Sequence, residues 1–296
     1  MPELPDVELY IEALRQRTVG HRLEGIRLAS PFLLRSVDPP VDEVIGREVQ
    51  GLRRIGKRIV FELTDDLFVV IHLMVAGRFK WEDAPEAKIP GRVGLAGFDF
   101  DHGTLLLREA SKKKRASLHL VRGEAGLEAH DRGGVEPLEV SFEEFTEALT
   151  RERHTLKRAL TDQRLLSGIG NAYSDEILHR AKLSPMRRND QLSDEQLRAI
   201  YQATREVLTE WIERLREEMG DGFPEKVTAF REEFAVHGKY KSPCPVCGKK
   251  VMRIRYASNE ANYCPTCQTE GRLLADRSLS RLLKKSWPKT LEELEG

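Results

Sequence analysis

The sequence predicts an α+β protein of several domains. A leading helix and an N-terminal antiparallel β-sandwich come first, a helical segment follows, and a small cysteine-bearing module ends the fold. Short apolar runs bounded by turn residues fill residues 23–121, helical periodicity covers 142–219, and all four cysteines lie between 244 and 267. Strands grouped before helices favour the α+β class over an alternating α/β fold.

Each element has its own local signal. Val7, Tyr10, Ile11 and Leu14 predict a first helix, with Asp6 as its N-cap and Gly20 after its end. The clearest strand signals cover residues 58–63, 67–73, 98–100 and 105–107. The predicted later helices cover residues 142–160, 174–181 and 193–219, the last opened by a capping box from Ser193 to Gln196.

These signals divide the chain into five segments. We expect a sandwich domain at 1–123, a Gly-, Glu- and Pro-rich linker at 124–139, a helical domain at 140–233, a zinc finger at 234–270 and a C-terminal extension at 271–296. The leucines of the extension are expected to pack on the body of the protein; a helix that docks a partner is the alternative.

Charge is balanced overall but uneven along the chain. The 48 basic and 48 acidic residues cancel, yet acidic residues crowd 124–147 and basic residues crowd 239–285 and the run 112–115. This uneven distribution of charge is expected if one face of a neutral protein binds phosphate. Ordinary solvated charged patches would give the same distribution. No apolar run is long enough to span a membrane and no secretory signal is visible. We therefore expect a cytoplasmic monomer, associated with the nucleoid if the source is bacterial.

The cysteines have the spacing of a metal site. Two Cys-x-x-Cys pairs, Cys244 with Cys247 and Cys264 with Cys267, are separated by 16 residues. Each pair places two thiolates on a tight turn, and two pairs complete a tetrahedral shell for Zn²⁺. Four thiolates leave no open position, so the zinc is expected to be structural. Such modules bind DNA, RNA or protein, so the cysteines alone do not choose a function.

A glycine-rich turn marks a second site. Gly168 and Gly170 free the backbone for a sharp turn, and Asn171 and Ser174 follow where a helix is expected to begin. Backbone N–H groups at such a helix start can bind a DNA phosphate. The alternative is an ordinary corner between two helices.

The N-terminus offers a nucleophile. Removal of Met1 would leave Pro2 with a free secondary amine, and an α-amino group has a pKa near 8, so much of it is neutral at physiological pH. The carboxylate of Glu3 could move protons beside it. A Met-Pro-Glu start without any function is the alternative.

Together these motifs resemble the formamidopyrimidine-DNA glycosylase and endonuclease VIII family. Residues 1–8 resemble its opening motif, 162–176 its helix-two-turn-helix motif, and 234–267 its zinc finger. The resemblance implies a base-excision-repair glycosylase with AP lyase activity. In that mechanism the amine of Pro2 attacks C1′ of a nucleotide extruded from damaged DNA and forms a Schiff base.

The same resemblance implies roles for further residues. Glu3 would transfer protons at the sugar, Lys57 would meet phosphate and assist the chemistry, and Asn171 would bind phosphate. Judged without the family, Lys57 is simply a solvated lysine before a strand. The implied DNA contacts are His72, Lys112, Lys113, Lys114, Arg115, Gly168, Gly170, Asn171 and Asn259.

Three positions depart from the family pattern. Asn259 stands where the family has a phosphate-binding arginine tied to a second elimination, so that step is in doubt unless Arg253, Arg255 or Arg272 replaces it. Val75 stands where the family has the methionine that fills the space of the flipped base. The run 112–115 carries four cations and lacks the family's aromatic wedge for the opposite strand.

Two other hypotheses stay open at this point. A non-catalytic relative that binds damaged DNA would keep the fold and lose the chemistry. A zinc-ribbon protein that binds RNA or another protein would explain the cysteines but not Pro2 or the Gly168 turn. Within the family, oxidised purines, ring-opened purines and oxidised pyrimidines are all possible substrates.

The missing aromatic wedge leads to a prediction about selectivity. We expect weak discrimination of the base opposite the lesion and some activity on single strands, because cations in the 112–115 loop can hold phosphate but cannot stack on a base. Excision rates opposite each of the four bases and in single strands test this. Strict selectivity for cytosine in duplex DNA would contradict it.

Overall fold

The computed structural model describes residues 1–225, 227–228, 230–256, 259–275, 288–290 and 293, with the side chains of 256 and 259 left out. The chain divides into two compact units. The first comprises Met1–Arg132 with Trp211–Thr228, and the second comprises Gly133–Glu210 with Ala229–Gly296. The division into five segments stays a prediction.

The elements follow the order expected of the predicted class. The helices are α1 (Leu4–Thr18), α2 (Val41–Val44), α3 (Glu124–Glu128), α4 (Phe142–Thr150), α5 (Leu156–Thr161), α6 (Asn171–Arg180), α7 (Asp194–Met219) and α8 (Pro265–Thr269). The strands are β1 (Gly25–Leu28), β2 (Val49–Ile55), β3 (Arg58–Leu63), β4 (Leu67–His72), β5 (Gly77–Glu82), β6 (Gly94–Phe100), β7 (Gly103–Glu109), β8 (Ser117–Arg122), β9 (Met252–Tyr256) and β10 (Asn259–Tyr263). Among the described residues no helix is long and apolar enough to cross a membrane.

The first unit contains two antiparallel four-stranded sheets. Their strand orders are β1-β6-β7-β5 and β2-β3-β4-β8, and every pairing between neighbouring strands is antiparallel. Alternate residues of both sheets enter one apolar core, as a sandwich requires. The core also takes the inner face of α1 and includes Tyr10, Leu14, Phe61, Ile71, Phe79, Phe98 and Leu118.

The first helix begins earlier than the sequence predicted. Its N-cap is Glu3, not Asp6, and Pro5 lies in its first turn, where a missing N–H costs no hydrogen bond. Asp6 is the third helical residue, and its carboxylate accepts the backbone N–H of Glu3 at 3.0 Å in a capping box. The sequence signal placed the cap after the prolines, at Asp6, whereas proline is tolerated inside the first turn of a helix. The consequence is that Glu3 is held at the helix start.

The β2–β3 hairpin presents Lys57 at its tip. Ile55 pairs with Arg58, so Gly56 and Lys57 form a two-residue turn. Gly56 has φ +59°, the value that the first position of a type II′ turn needs and that glycine adopts without strain. Arg54 braces the turn, since its guanidinium bonds Glu8 of α1 at 2.6 Å and the Gly56 carbonyl at 3.0 Å.

Two predicted helices of the second unit have different bounds. The stretch 142–160 is two helices, α4 and α5, because the chain turns between Arg151 and Thr155 before α5 begins. Helix α6 begins at Asn171 instead of Ser174, directly after Gly170. The predicted capping box of α7 is confirmed: Ser193 and Gln196 exchange hydrogen bonds of 3.2 and 3.3 Å.

Two consecutive carboxylates of α6 hold the zinc-finger segment. Glu176, buried in the interior, accepts the backbone N–H groups of Ala235, Val236 and His237 at 2.7, 3.0 and 2.9 Å. Asp175, with no exposed surface, accepts Lys157 at 2.6 Å, His237 at 2.7 Å and Asn262 at 3.2 Å. Burial raises the pKa of Glu176, and the three amide donors oppose that rise. This polar cluster connects α6, α5 and the finger.

The zinc-finger segment contains one antiparallel hairpin and the short helix α8. Strands β9 and β10 pair from Met252 with Tyr263 to Tyr256 with Asn259. Val236, Val251, Cys244 and Cys264 form its small buried core. Most of the leucine-bearing tail, whose packing the sequence predicted, lies outside the described residues.

The Glu176 cluster makes a stability prediction. We expect Glu176→Ala to lower the free energy of unfolding by about 3 kcal/mol or more, because it leaves three buried backbone N–H groups without their acceptor. Urea unfolding followed by circular dichroism measures this. Glu206→Ala is the control, since Glu206 forms an exposed ion pair with Arg180, and we expect a change below about 1 kcal/mol. Equal stability of the two variants would contradict the assignment.

Candidate functional site

The N-terminus of the first unit brings the predicted catalytic residues together. Pro2 and Glu3 are buried at the start of α1, and Lys57 is only 7% exposed. Burial lowers the pKa of the Met1 amino group; Glu3 and Asp6 raise it, while Arg78 and Lys57 lower it. An amine at this position therefore interacts with a carboxylate pair and two cations. Burial and the two cations favour the neutral, nucleophilic form of the amine, and the carboxylates oppose them.

Arg78 is a member of this group that the sequence did not reveal. It lies in β5, its guanidinium bonds the carbonyls of Gly77 at 2.6 Å and of Val227, and its charge acts on the N-terminal amine. It directly follows the segment that carries His72 and Val75, but it was not among the predicted site residues. Only the pairing of the strands places this cation beside α1.

His72 lies at the end of β4, opposite Arg58 of β3. Its Nδ1 accepts the backbone N–H of Met74 at 2.9 Å, so the ring proton is on Nε2. Burial, together with the charges of Arg58 and Lys57, lowers the pKa of His72 to about 3. The residue is therefore a neutral donor at physiological pH.

The segment that follows His72 contains a strained residue beside an exposed one. Met74 has φ +52°, uncommon for a side chain of its size, and the adjoining Val75 is 55% exposed. An apolar side chain held outward in this way is what a wedge into DNA requires. Val75, at the position of the family methionine, has the required exposure.

The basic run 112–115 is not uniform. Lys112, Lys113 and Arg115 are exposed, whereas the ammonium of Lys114 turns back and bonds the carbonyls of Glu109 and Arg92. The buried carboxylate of Glu109 accepts the backbone N–H groups of Arg115 and Ala116 at 2.9 and 3.0 Å. Three of the four predicted DNA-contacting cations are therefore available, and Lys114 shapes the loop.

The Gly168 turn of the second unit is braced by a side chain. Gly168 has φ +77°, and its N–H bonds Oε1 of Gln163 at 2.9 Å, while Nε2 of Gln163 bonds the Ile169 carbonyl at 2.7 Å. This glutamine holds both sides of the turn, and α6 begins at Asn171 directly after it. The helix start expected to bind phosphate is therefore rigid.

Asn171 opens onto a cavity lined by cations. The cavity has a volume of about 630 Å³, and the cations Arg153, Lys157, Arg158 and Arg188 contribute to its walls beside His154. Lys157 is fixed there, since its ammonium bonds the Asn171 carbonyl at 2.6 Å and Asp175 at 2.6 Å. The sequence predicted Asn171 but missed these cations, which come from α5 and the flanking loops.

The four cysteines fit a zinc ion. Their sulfur atoms all lie within 4.8 Å of one another, with 3.9 Å between Cys244 and Cys267 and 3.4 Å between Cys247 and Cys264. Sulfur atoms around tetrahedral Zn²⁺ at about 2.3 Å lie roughly 3.8 Å apart. His179 of α6 contacts the Cys244 sulfur at 3.3 Å from outside the set. Asn259 begins β10, but its side chain lies outside the described residues.

Comparisons with known proteins give the same order of domains. The formamidopyrimidine-DNA glycosylase N-terminal domain matches residues 1–116, the H2TH domain of the same family matches 134–220, and the zinc finger found in FPG and IleRS matches 241–269. The formamidopyrimidine-DNA glycosylase of Heliobacterium modesticaldum is 35% identical over 281 residues, covering 90% of this chain and all of the relative. The one from Thermus thermophilus is 34% identical and covers 92% of this chain and all of the relative.

The chain belongs to the formamidopyrimidine-DNA glycosylase family.

Solved structures of this family have the same fold. The MutM (Fpg) protein of Thermus thermophilus superposes with a TM-score of 0.76 at 33% identity, over 90% of this chain and 98% of that one. Lactococcus lactis Fpg bound to DNA with an abasic site gives 0.79 at 26% identity, over 90% and 99% of the two chains. A MutM complex with DNA containing carbocyclic 8-oxo-G gives 0.79 at 27% identity, over 90% and 100%.

Four sequence predictions are thereby confirmed: the family, the fold class, the DNA glycosylase class of function and a four-cysteine zinc finger with structural zinc. A zinc-ribbon protein of another class is excluded, because the family match covers both units. The roles of the individual site residues stay predictions.

The buried neutral His72 makes stability depend on pH. Its pKa is lower in the folded chain than in the unfolded chain, so the unfolded chain binds more protons below about pH 6.5, and stability falls as the pH drops. Between pH 7 and 5 the expected loss from this group is about 2 kcal/mol. Asparagine cannot take up this proton. We therefore expect the stability of His72→Asn to fall by about 2 kcal/mol less than that of the parent protein between pH 7 and 5. Urea unfolding at both pH values measures it, and identical losses in the two proteins would refute the assignment.

Proposed function

We propose that this chain is a base-excision glycosylase with AP lyase activity that acts on oxidised or ring-opened bases in DNA through the amine of Pro2. The observation that carries the proposal is the convergence at the start of α1. A buried amine position there interacts with Glu3, Lys57 and Arg78, and burial lowers the pKa of the amine that occupies it. Membership of the family supports the same chemistry.

The reaction would proceed from the free amine of Pro2 once Met1 is removed. The amine nitrogen bonds C1′ of the extruded nucleotide, the C1′–N bond to the base breaks, and the base leaves with a proton. The C1′–O4′ bond of the sugar then breaks, O4′ takes up a proton, and the ring-opened sugar is held as an iminium ion. The iminium ion makes the C2′ proton acidic. Loss of that proton with cleavage of the C3′–O bond cuts the strand by β-elimination.

Each residue of the cluster has a distinct part in this proposal. Glu3 is fixed by the capping box with Asp6 and would accept or donate the protons at the sugar. Burial lowers the pKa of the N-terminal amine, and the charges of Arg78 and Lys57 would add to that lowering at Pro2. Lys57, at the tip of the hairpin, would also meet the phosphate beside the extruded nucleotide.

The DNA contacts in this proposal come from both units. Phosphates would bind the exposed cations Lys112, Lys113 and Arg115, the N–H donor of His72, and the cavity around Asn171. The backbone at Gly168 and Gly170 and the β10 start at Asn259 would complete the set. Relatives bound to DNA with an abasic site or 8-oxo-G support damaged DNA as the partner. A monomer bound to chromosomal DNA in a reducing cytoplasm would suit four cysteines that form no disulfide and can hold zinc.

Trapping with borohydride tests the nucleophile. Reduction of the iminium ion should leave a stable protein–DNA adduct on abasic DNA, and peptide mass mapping should place it on Pro2. The matched control retains Met1, so that the Pro2 nitrogen is locked in a peptide bond, and should give no adduct at that residue.

Two outcomes would overturn the proposal in different ways. Normal DNA binding without any adduct would identify the chain as a non-catalytic relative. An adduct on a lysine, with equal cleavage by the Met1-retaining control, would require another nucleophile.

The cation-lined cavity makes a separate binding prediction. Removing Arg158, which is exposed and lines the cavity, should weaken binding to any DNA sequence and lower the slope of log K against log salt by about one. Binding isotherms of Arg158→Ala at several salt concentrations measure this. Arg198→Ala is the control, because the exposed Arg198 packs over Phe142 and does not line the cavity. Equal slopes for both variants would contradict a phosphate site here.

A further inference from the structure

A second group of metal-binding side chains lies in the first unit, in a part of the sandwich that the proposed chemistry does not use. His21, Asp101 and His102 offer donor atoms that all lie within 4.8 Å of one another. One carboxylate oxygen, Oδ1 of Asp101, lies 3.1 Å from Nδ1 of His21 and 2.7 Å from Nδ1 of His102. The three side chains are 39%, 65% and 38% exposed, so a cation can reach them from solvent.

The distances suit a metal ion with open positions. Nitrogen and oxygen ligands lie about 2.0–2.2 Å from a first-row divalent ion, so two ligands at right angles are roughly 3.0 Å apart. The 2.7 and 3.1 Å separations, which are hydrogen bonds between Asp101 and the two imidazoles, are also compatible with two ligands at right angles around one ion. Two imidazoles and one carboxylate are also a ligand set that holds such ions while leaving further positions for water.

The backbone holds these ligands in place. Phe100 pairs with Gly103, so Asp101 and His102 are the two turn residues of the β6–β7 hairpin. His21 is fixed on both sides, since its N–H bonds the Thr18 carbonyl at 3.1 Å and its carbonyl accepts the N–H of Val49 at 2.9 Å. The site therefore needs little ordering before it can bind.

The packing of the rings also limits what can occupy the site. The imidazoles of His21 and His102 lie 4.1 Å apart between centroids, and the ring of Trp81 lies 5.4 Å from that of His102. Two imidazolium ions at that separation would repel each other. Two neutral imidazoles can instead bind the same divalent ion. The carboxylate of Asp101 lowers the net charge of the group.

We propose that His21, Asp101 and His102 form a binding site for a borderline divalent transition-metal ion such as Zn²⁺, Ni²⁺ or Cu²⁺. Bound there, the ion joins the segment after α1 to the β6–β7 hairpin. It is distinct from the four-cysteine site in ligand type, in location and in having open coordination positions.

Nickel is the probe for the test. Protein with a zinc-loaded finger is titrated with Ni²⁺ while the heat of binding, the tryptophan fluorescence and the released zinc are followed; Trp81 is the tryptophan beside His102. We expect one equivalent of Ni²⁺ to bind without zinc release, with quenching of the nearby indole and a rise of a few degrees in melting temperature. The double variant His21→Asn with His102→Asn should lose the binding, the quenching and the temperature rise together.

Two controls separate this site from others. Asp101→Asn should weaken binding while leaving both imidazoles, so it tests the carboxylate by itself. His154→Asn should bind Ni²⁺ like the parent protein, because the carboxylates beside His154 already bond Arg164. Absence of binding by the parent protein, binding by the double variant, or uptake matched by zinc release would each overturn the proposal; circular dichroism of every variant establishes that it is folded.

Discussion

The second unit depends on the carboxylate of Glu176. A buried anion is costly unless donors surround it, and here the donors are three consecutive backbone N–H groups of the segment that leads into the zinc finger. The hydrogen bonds stabilise the buried carboxylate and also give acceptors to the backbone N–H groups of an irregular segment, which would otherwise lack them. Neighbouring Asp175 adds Lys157, His237 and Asn262 to the same cluster. One turn of α6 thus sets the position of the finger.

The same helix links three features of the proposed DNA-binding surface. Asn171 stands at its first residue, the carboxylate pair lies in its middle, and His179 contacts a cysteine sulfur near its end. A helix of this length is stiff, so these features keep fixed spacing. Lys157 connects the start of the helix with the cluster, because its ammonium bonds both the Asn171 carbonyl and Asp175. A buried polar network with this many hydrogen bonds favours a single arrangement of its members.

In the first unit, hydrogen bonds also hold charged side chains in place at the start of α1. The capping box of Glu3 and Asp6 fixes the carboxylate that the proposed reaction uses, and the prolines beside it tolerate a helix start. Arg54 connects α1 to the hairpin that carries Lys57, through Glu8 on one side and the Gly56 carbonyl on the other. Asp6 and Arg54, which have no part in the proposed chemistry, therefore hold Glu3 and Lys57 in position.

The sequence by itself determined the family, the order of the domains and the four-cysteine zinc finger, and it supplied Pro2, Glu3 and Asn171 as predicted site residues. These are short-range signals, in which the spacing of a few residues carries the chemistry. The sequence did not reveal Arg78, the cations around Asn171 or the inward turn of Lys114. Each of these depends on strand pairing or on the meeting of α5 with α6, and therefore on contacts between residues far apart in the chain. His72 shows the same limit: its position was read from a motif, but its lowered pKa comes from burial and from neighbouring cations that only the folded chain brings together.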